Sequence, residues 1–286
     1  MKFVDVKNDV AFRKIFGNEN KKVVLISFLN AVLELPGGRK ISDVTIVNPY
    51  QLPNLSGGKS TIVDVKAQDE SGNFFIVEMQ VAEAESFSQR VLYYTAQSYA
   101  SQIERGDDYA QLNPTFFIGI LDFEIGASPA YFSRHKVLNV ETGEHILRDV
   151  EFNFLELPKF TQGESELTSI IAQWVFFIKN AENLNVIPES IKDHGLKTAF
   201  DEADRHNWSK LELEEYNKIL IREGDEKGRL RLAEKRGKIE GIEIGVEQGK
   251  IEVAKKAILQ GLKNEIIAEL TNLKVEEIEK LRTAAS

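Results

Sequence analysis

Asp64 in STIVDVKAQ, with Glu78 and Gln80 in FFIVEMQVA, stands on one of two short apolar runs joined by Asp69-Glu70-Ser71-Gly72-Asn73. A hairpin folded about Ser71 sets position 64 opposite position 78. Directly cross-strand side chains share a face, and so do residues two apart on a strand. The hairpin therefore gathers Asp64, Glu78 and Gln80 on one patch. Two acids that close repel unless a cation sits between them. Mg²⁺ prefers oxygen ligands, one or two carboxylates with the remaining positions left to water and substrate. Asp64 and Glu78 supply those carboxylates, and the backbone carbonyl of Met79 can add an oxygen. Such an ion neutralises a phosphate and activates or positions a water, the requirement of phosphodiester hydrolysis. Gln80 can orient that water but, as a neutral amide, brings no positive charge. Lys66 shares the face of Asp64 and is read either as that missing ammonium or as a solvated strand lysine.

The elements that must position this patch are legible in the flanking residues. IVDV and FFIVEMQV are β-branched and aromatic, so the opposite face of the hairpin is expected to be buried. Acids emerging from core strands are costly without a function. Upstream, Phe12, Ile15 and Phe16 predict a helix over 9–16 that stops at Gly17. A second helix is expected over about 21–35, ended by Pro36-Gly37-Gly38, then a strand over 41–47 and a loop over 48–59. The hairpin strands are expected at about 60–68 and 74–81, followed by a helix over 84–103. TFFIGILDF, residues 115–123, predicts a strand buried on both faces. Shorter strand-like runs fall at 136–141, 145–148 and 151–157. From Glu164 the pattern turns helical, with further helices expected over 190–205 and 210–223.

Composition is that of a globular chain, 42% hydrophobic and 28% charged over 286 residues, with no run near the roughly 18 apolar residues a membrane span needs. No signal-peptide pattern opens the sequence, and a cytoplasmic protein without membrane association is the expectation. With no cysteine, disulfides and thiolate metal sites are excluded. Net charge is −9, yet residues 1–60 carry 9 Lys and Arg against 5 acids, while 61–130 carry 3 against 11. A local acidic pocket between more basic flanks suits a divalent cation, which can then attract phosphate. Walker A, GxGxxG and GxSxG patterns are missing, and His135, His145, His194 and His206 lack zinc-site spacing.

The stretches KNDVAFRKIFG, IVDVKAQDESGNFFIVEMQ and FSQRVLYYTAQSYASQIERGDDYAQLNPTFFIGILDF occur in that order. A tail of Gly-Glu tetrads and IIAELTNLKVEEIEKL follows. Together they resemble the Rpn family of recombination-promoting nucleases, also described as putative transposases, within the PD-(D/E)XK superfamily. The resemblance covers nearly the whole chain. It implies an α/β restriction-endonuclease-like core, a mixed central sheet flanked by helices, with a C-terminal all-helical extension. It further implies a metal-dependent DNA endonuclease linked to recombination or mobile elements, using Mg²⁺ or another divalent ion such as Mn²⁺ or Ca²⁺.

Asp64 and Glu78 match the superfamily's metal-binding acids, and Gln80 takes the place of its usual lysine. That loss leaves the charge-supplying role to Lys66 or to a second metal. Asp9 matches the acid of the first helix and is read either as part of the metal or water shell or as an N-cap. Arg90 and Tyr94 are implied to touch DNA phosphate. Gln97, on the same helical stripe, reads better as part of the packed side of that helix. The alternative is a catalytically weak or inactive DNA-binding or adaptor protein acting through its C-terminal helices.

A nuclease-like domain is expected over 1–224, with its core at about 1–160 and a helical part at about 164–224. Glycines then recur every fourth residue at 237, 241, 245 and 249. Each costs about 1 kcal/mol in a helix relative to Ala, which predicts a flexible or weakly helical connector. The last segment predicts two or three small helices resembling a helix-turn-helix. Its second helix opens on Val275-Glu276-Glu277, which repels phosphate, so homo-oligomerisation or protein contact is favoured there over DNA reading.

Overall fold

A computed structural model describes residues 1–51 and 61–284. They divide into two compact units, 1–220 and 221–286. Most of the loop expected over 48–59 lies outside the described residues.

In the first unit, α1 (Asp9–Phe16) buries Ala11, Phe12, Ile15 and Phe16 and is capped by Asn8, whose side chain accepts from the Val10 and Ala11 N–H groups. Helix α2 (Val23–Val32) follows. Strands β1 (Val44–Val47), β4 (Val65–Asp69), β5 (Phe74–Gln80), β6 (Thr115–Leu121), β7 (Phe132–Lys136) and β8 (Val150–Glu156) form a mixed six-stranded sheet. Its order is β1-β4-β5-β6-β8-β7. Two short strands, β2 (Tyr50–Gln51) and β3 (Thr61–Ile62), pair apart from it. The centre, β5-β6-β8, is parallel, and the remaining pairings are antiparallel.

Side-chain alternation sends Phe75, Val77 and Met79 into the main core, which also holds the buried faces of α1, α2, α4 (Ile170–Asn180) and α5 (His194–Ala203). Ile76 points the other way, against Phe87 and Val91 of α3 (Phe87–Ala100). The sheet is thus flanked by helices on both faces, the arrangement expected for a restriction-endonuclease-like α/β fold. At the far end of α3, Gln102 donates to the Asn113 carbonyl and Thr115 Oγ1 and accepts from the Asn113 N–H, which ties the helix to the start of β6.

The runs at 136–141 and 145–148 are not strands. The strand ends at Lys136, and the chain turns tightly, with Asn139 N–H on the Glu144 carbonyl and Gly143 at φ +73°. Val140, Ile146 and Leu147 are left exposed, so their apolar character had no strand pairing behind it.

Helix α6 (Lys210–Leu259) is a continuous 50-residue helix, where a flexible or weakly helical connector was expected. The residues between its glycines are mostly good helix formers, and a Cβ built at Gly237, Gly241, Gly245 or Gly249 meets nothing within 4 Å. No close packing therefore demands these glycines. The second unit has its own small core, with Ala254, Ile258, Ile267, Leu273 and Ile278 packed where α7 (Asn264–Thr271) and α8 (Val275–Ala284) meet. No helix among the described residues is long and apolar enough to cross a membrane.

Candidate active site

The hairpin registers as Val65–Val77, Lys66–Ile76, Ala67–Phe75 and Gln68–Phe74, all symmetric about Ser71. One step further, Asp64 sits in a bend beside Glu78 rather than in the strand itself. The ladder there is replaced by side-chain bonds. Asp64 Oδ2 accepts from the Met79 N–H at 3.0 Å, and Glu78 Oε1 accepts from the Asp64 N–H at 3.2 Å. The two carboxylates thereby lock each other's backbone. A strand residue's N–H and C=O point to the same edge, so the Met79 carbonyl faces the Asp64 side.

These acids lie at the carboxyl end of the parallel strands, where open α/β sheets place their ligands. The floor beside Glu78 is Gly119, its register partner on β6. A Cβ there would come within 2.9 Å of the Phe154 ring, so the close approach of the ring requires glycine.

Hydrogen bonds run outward from the acids to both flanking helices. On the α3 side, Gln80 Nε2 donates to Glu78 Oε2 at 3.1 Å, and Arg90 Nη2 donates to Gln80 Oε1 at 2.9 Å. The Arg90 guanidinium also lies 5.8 Å from the Tyr94 ring centroid. On the α1 side, Arg13 places Nε and Nη2 at 3.2 and 2.9 Å from Asp64 Oδ1. Sequence reasoning missed Arg13. Its signal was the i, i+4 spacing from Asp9, along one flank of the Phe12–Ile15–Phe16 stripe of α1.

Glu78 is 5% exposed, and burial together with the Asp64 charge pushes its carboxyl up to about 8. The Asp64 N–H, Arg90 and Gln80 oppose that rise only in part. Burial also raises Asp64, against the Met79 N–H and Arg13, which favour its charged form. The pair is short of positive charge, the condition that a divalent ion relieves.

The remaining predicted residues fall in different places. Asp9 is the first residue of α1 and not its cap, a role held by Asn8. Its charge is felt by both Asp64 and Arg13. Lys66 is 8% exposed with its ammonium 5.3 Å from the Phe74 ring centroid, toward the turn of the hairpin, and burial lowers its pKa. Gln97 is half-buried on α3. Among the described residues no group of three or more His, Asp or Glu could hold a metal ion.

No curated protein and no solved structure matches the chain. Residues 6–233 match the family described as PD-(D/E)XK nuclease family transposase, a span that includes α1, the hairpin, α3 and the whole sheet. With most of its length matched, the chain belongs to the PD-(D/E)XK nuclease family transposases.

Proposed function

We propose that the chain is a divalent-metal-dependent DNA endonuclease that hydrolyses phosphodiester bonds. The observation that carries this reading is the buried Asp64–Glu78 pair, with Glu78 pushed up to about 8. The donor chemistry fits Mg²⁺, Mn²⁺ or Ca²⁺: two carboxylates and the Met79 carbonyl are all oxygens, and Asp64 Oδ2 and both Glu78 oxygens each keep acceptor capacity beyond one N–H partner, while Asp64 Oδ1 takes two bonds from Arg13. A bound ion would supply phosphate neutralisation and a more acidic water.

The chain's own residues do the rest. Asp64 and Glu78 hold each other in place through the Met79 and Asp64 N–H groups. Gln80, its amide oriented by Glu78 and Arg90, uses one of two N–H donors and keeps the other for a water or phosphate oxygen. Arg90, steadied on Tyr94, keeps donors for the DNA backbone. Supercoiled plasmid incubated with Mg²⁺, Mn²⁺ or Ca²⁺ is expected to be nicked, and EDTA to abolish nicking. If Asp64→Ala and Glu78→Ala nick as fast as the parent chain, the assignment is wrong.

Action in recombination or on mobile elements, in the cytoplasm, completes the proposal, along with self-association through the C-terminal helices. Supporting the last, Leu232, Ile239, Val246 and Val253 recur every seven residues on α6, each about half exposed, the spacing of a coiled-coil seam. Sedimentation velocity over a dilution series tests it, and a monomer at every concentration would exclude it.

A further inference from the structure

We infer that Arg13 supplies the positive charge that Gln80 cannot, resting on Asp64 until a divalent ion displaces it and then turning to a DNA phosphate. The inference rests on the endonuclease reading and adds to it a residue and an exchange.

Three cations lie near the acids, and their commitments differ. The Lys66 ammonium is turned toward the Phe74 ring. Arg90 is held by Gln80 and stacked on Tyr94. Arg13 alone bonds one of the two acids directly. Both of its bonds go to one oxygen, Asp64 Oδ1. A guanidinium has five N–H donors, so three are left over, and no other side-chain bond of Arg13 is found among the described residues.

Burial separates the two partners. The Arg13 side chain is 51% exposed, the Asp64 side chain 9%. The guanidinium therefore stands at the mouth of the site, over an acid it shields from solvent. Its backbone is fixed: α1 is anchored by fully buried Phe12, Ile15 and Phe16, capped at Asn8, and closed where Gly17 N–H meets the Arg13 carbonyl. The neighbouring Lys14 pairs with Glu212. Only the side chain has room to move.

A divalent ion on Asp64 would place two positive charges beside the guanidinium and weaken its hold on Oδ1. A phosphate offers the released fork a better partner, because planar guanidinium matches phosphate oxygens two at a time. Arg13 then neutralises the backbone on the α1 side, as Arg90 does on the α3 side.

The test uses the full chain, Arg13→Ala and Arg13→Lys, each checked for an unchanged circular dichroism spectrum. Mn²⁺ is titrated calorimetrically without DNA. A labelled duplex is then titrated with Ca²⁺ over a salt series, on a timescale at which gels show it intact. Removing a competing cation should tighten Mn²⁺ binding of Arg13→Ala by threefold or more. Losing one phosphate contact should lower the slope of log affinity against log salt by about 0.9. Arg13→Lys should restore the slope and most of the parental Mn²⁺ affinity. Weaker or unchanged Mn²⁺ binding in Arg13→Ala would mean that Arg13 merely props Asp64, and overturns the exchange. An unchanged salt slope, or no DNA binding by the parent chain, overturns the phosphate role. Should Arg13→Ala fail to fold, the neutral Arg13→Gln takes its place: a slope lowered by about 0.9 supports the role and a parental slope overturns it. A parent chain that binds metal and DNA but nicks nothing would sink the endonuclease reading alone, since neither titration depends on turnover.

Discussion

Asp64 and Asp69 bracket β4, five residues apart and both largely buried, yet their surroundings are opposites. Asp69 has no exposed side-chain surface and accepts from Ser71 N–H, Asn73 N–H, Asn73 Nδ2 and Arg39 Nη2, all between 2.6 and 2.9 Å. It knots a turn in which Gly72, at φ +86°, has Asn113 against it where a side chain would go. Asp64 has one backbone donor, one half-exposed arginine and a second buried acid beside it. A buried carboxylate surrounded by donors holds a fold together. A buried carboxylate set against another acid is waiting for a cation. Burial alone does not distinguish them; the balance of donors against neighbouring charge does.

The sharpest way to break this contrast is a pair of substitutions read on two scales. Asp64→Asn should lower plasmid nicking by a factor on the order of 10²–10³ while leaving the melting temperature unchanged or raised. Asp69→Ala should do the reverse. It leaves three donors at Ser71 and Asn73 unpaired and Arg39 with Glu70 alone, and should cost about 3 kcal/mol in chemical denaturation, with nicking per folded molecule retained. If both variants lose stability equally, the two acids are not different in kind.

Next in size is a pH effect confined to the site end. Glu78 ionises near 4.5 when unfolded and near 8 when folded, so between those values the folded chain holds the extra proton. Metal-free stability should therefore be fully present below about pH 4.5, fall as pH rises toward 8, and level off above it. Glu78→Gln should flatten that fall, and a divalent ion should stabilise more at pH 8 than at pH 5. Denaturant midpoints across pH 5–8 decide the matter, and a rising profile would exclude an acid-rich, cation-poor site.

Smaller changes sharpen the contrast between the two ends. Gly119→Ala pushes a methyl into Phe154 beside Glu78 and should cost about 1–3 kcal/mol, as overpacking does. Lys66 lies between the two aspartates and belongs to neither. Lys66→Met should raise the melting temperature slightly and keep nicking within about threefold, since its lowered pKa reflects burial and no acid partner. A tenfold loss would instead place its ammonium in the chemistry.

Much of this was legible in the sequence because local patterns carried it. Period-two alternation and a five-residue turn set the hairpin register, and the register alone brought Asp64 to Glu78. Helix α1 followed from three aromatic and aliphatic positions and a terminal glycine. The Arg13–Asp64 bond spans 51 residues between elements that do not neighbour in sequence, and no local pattern encodes it. The fate of Lys66 was hidden for a related reason. Sharing a face fixes where a long side chain starts, and the Phe74 ring decides where it ends. Between 136 and 148 the error ran the other way: apolar letters suggested strands, but Gly143 and the Asn139–Glu144 bond made a turn.

The amide of Gln102 imitates a strand partner for Asn113, and its consequence reaches the far end of α3. Ten residues of α3, about 15 Å of rise, and a two-residue turn separate it from Arg90. The Gln102 amide thus pins the chain just past one end of α3 to the start of β6, and Arg90 near the other end bonds Gln80 at 2.9 Å. Exchanging that amide removes no side chain near the acids and loosens the far end of the helix that carries Arg90, like a dial mounted away from the instrument it sets.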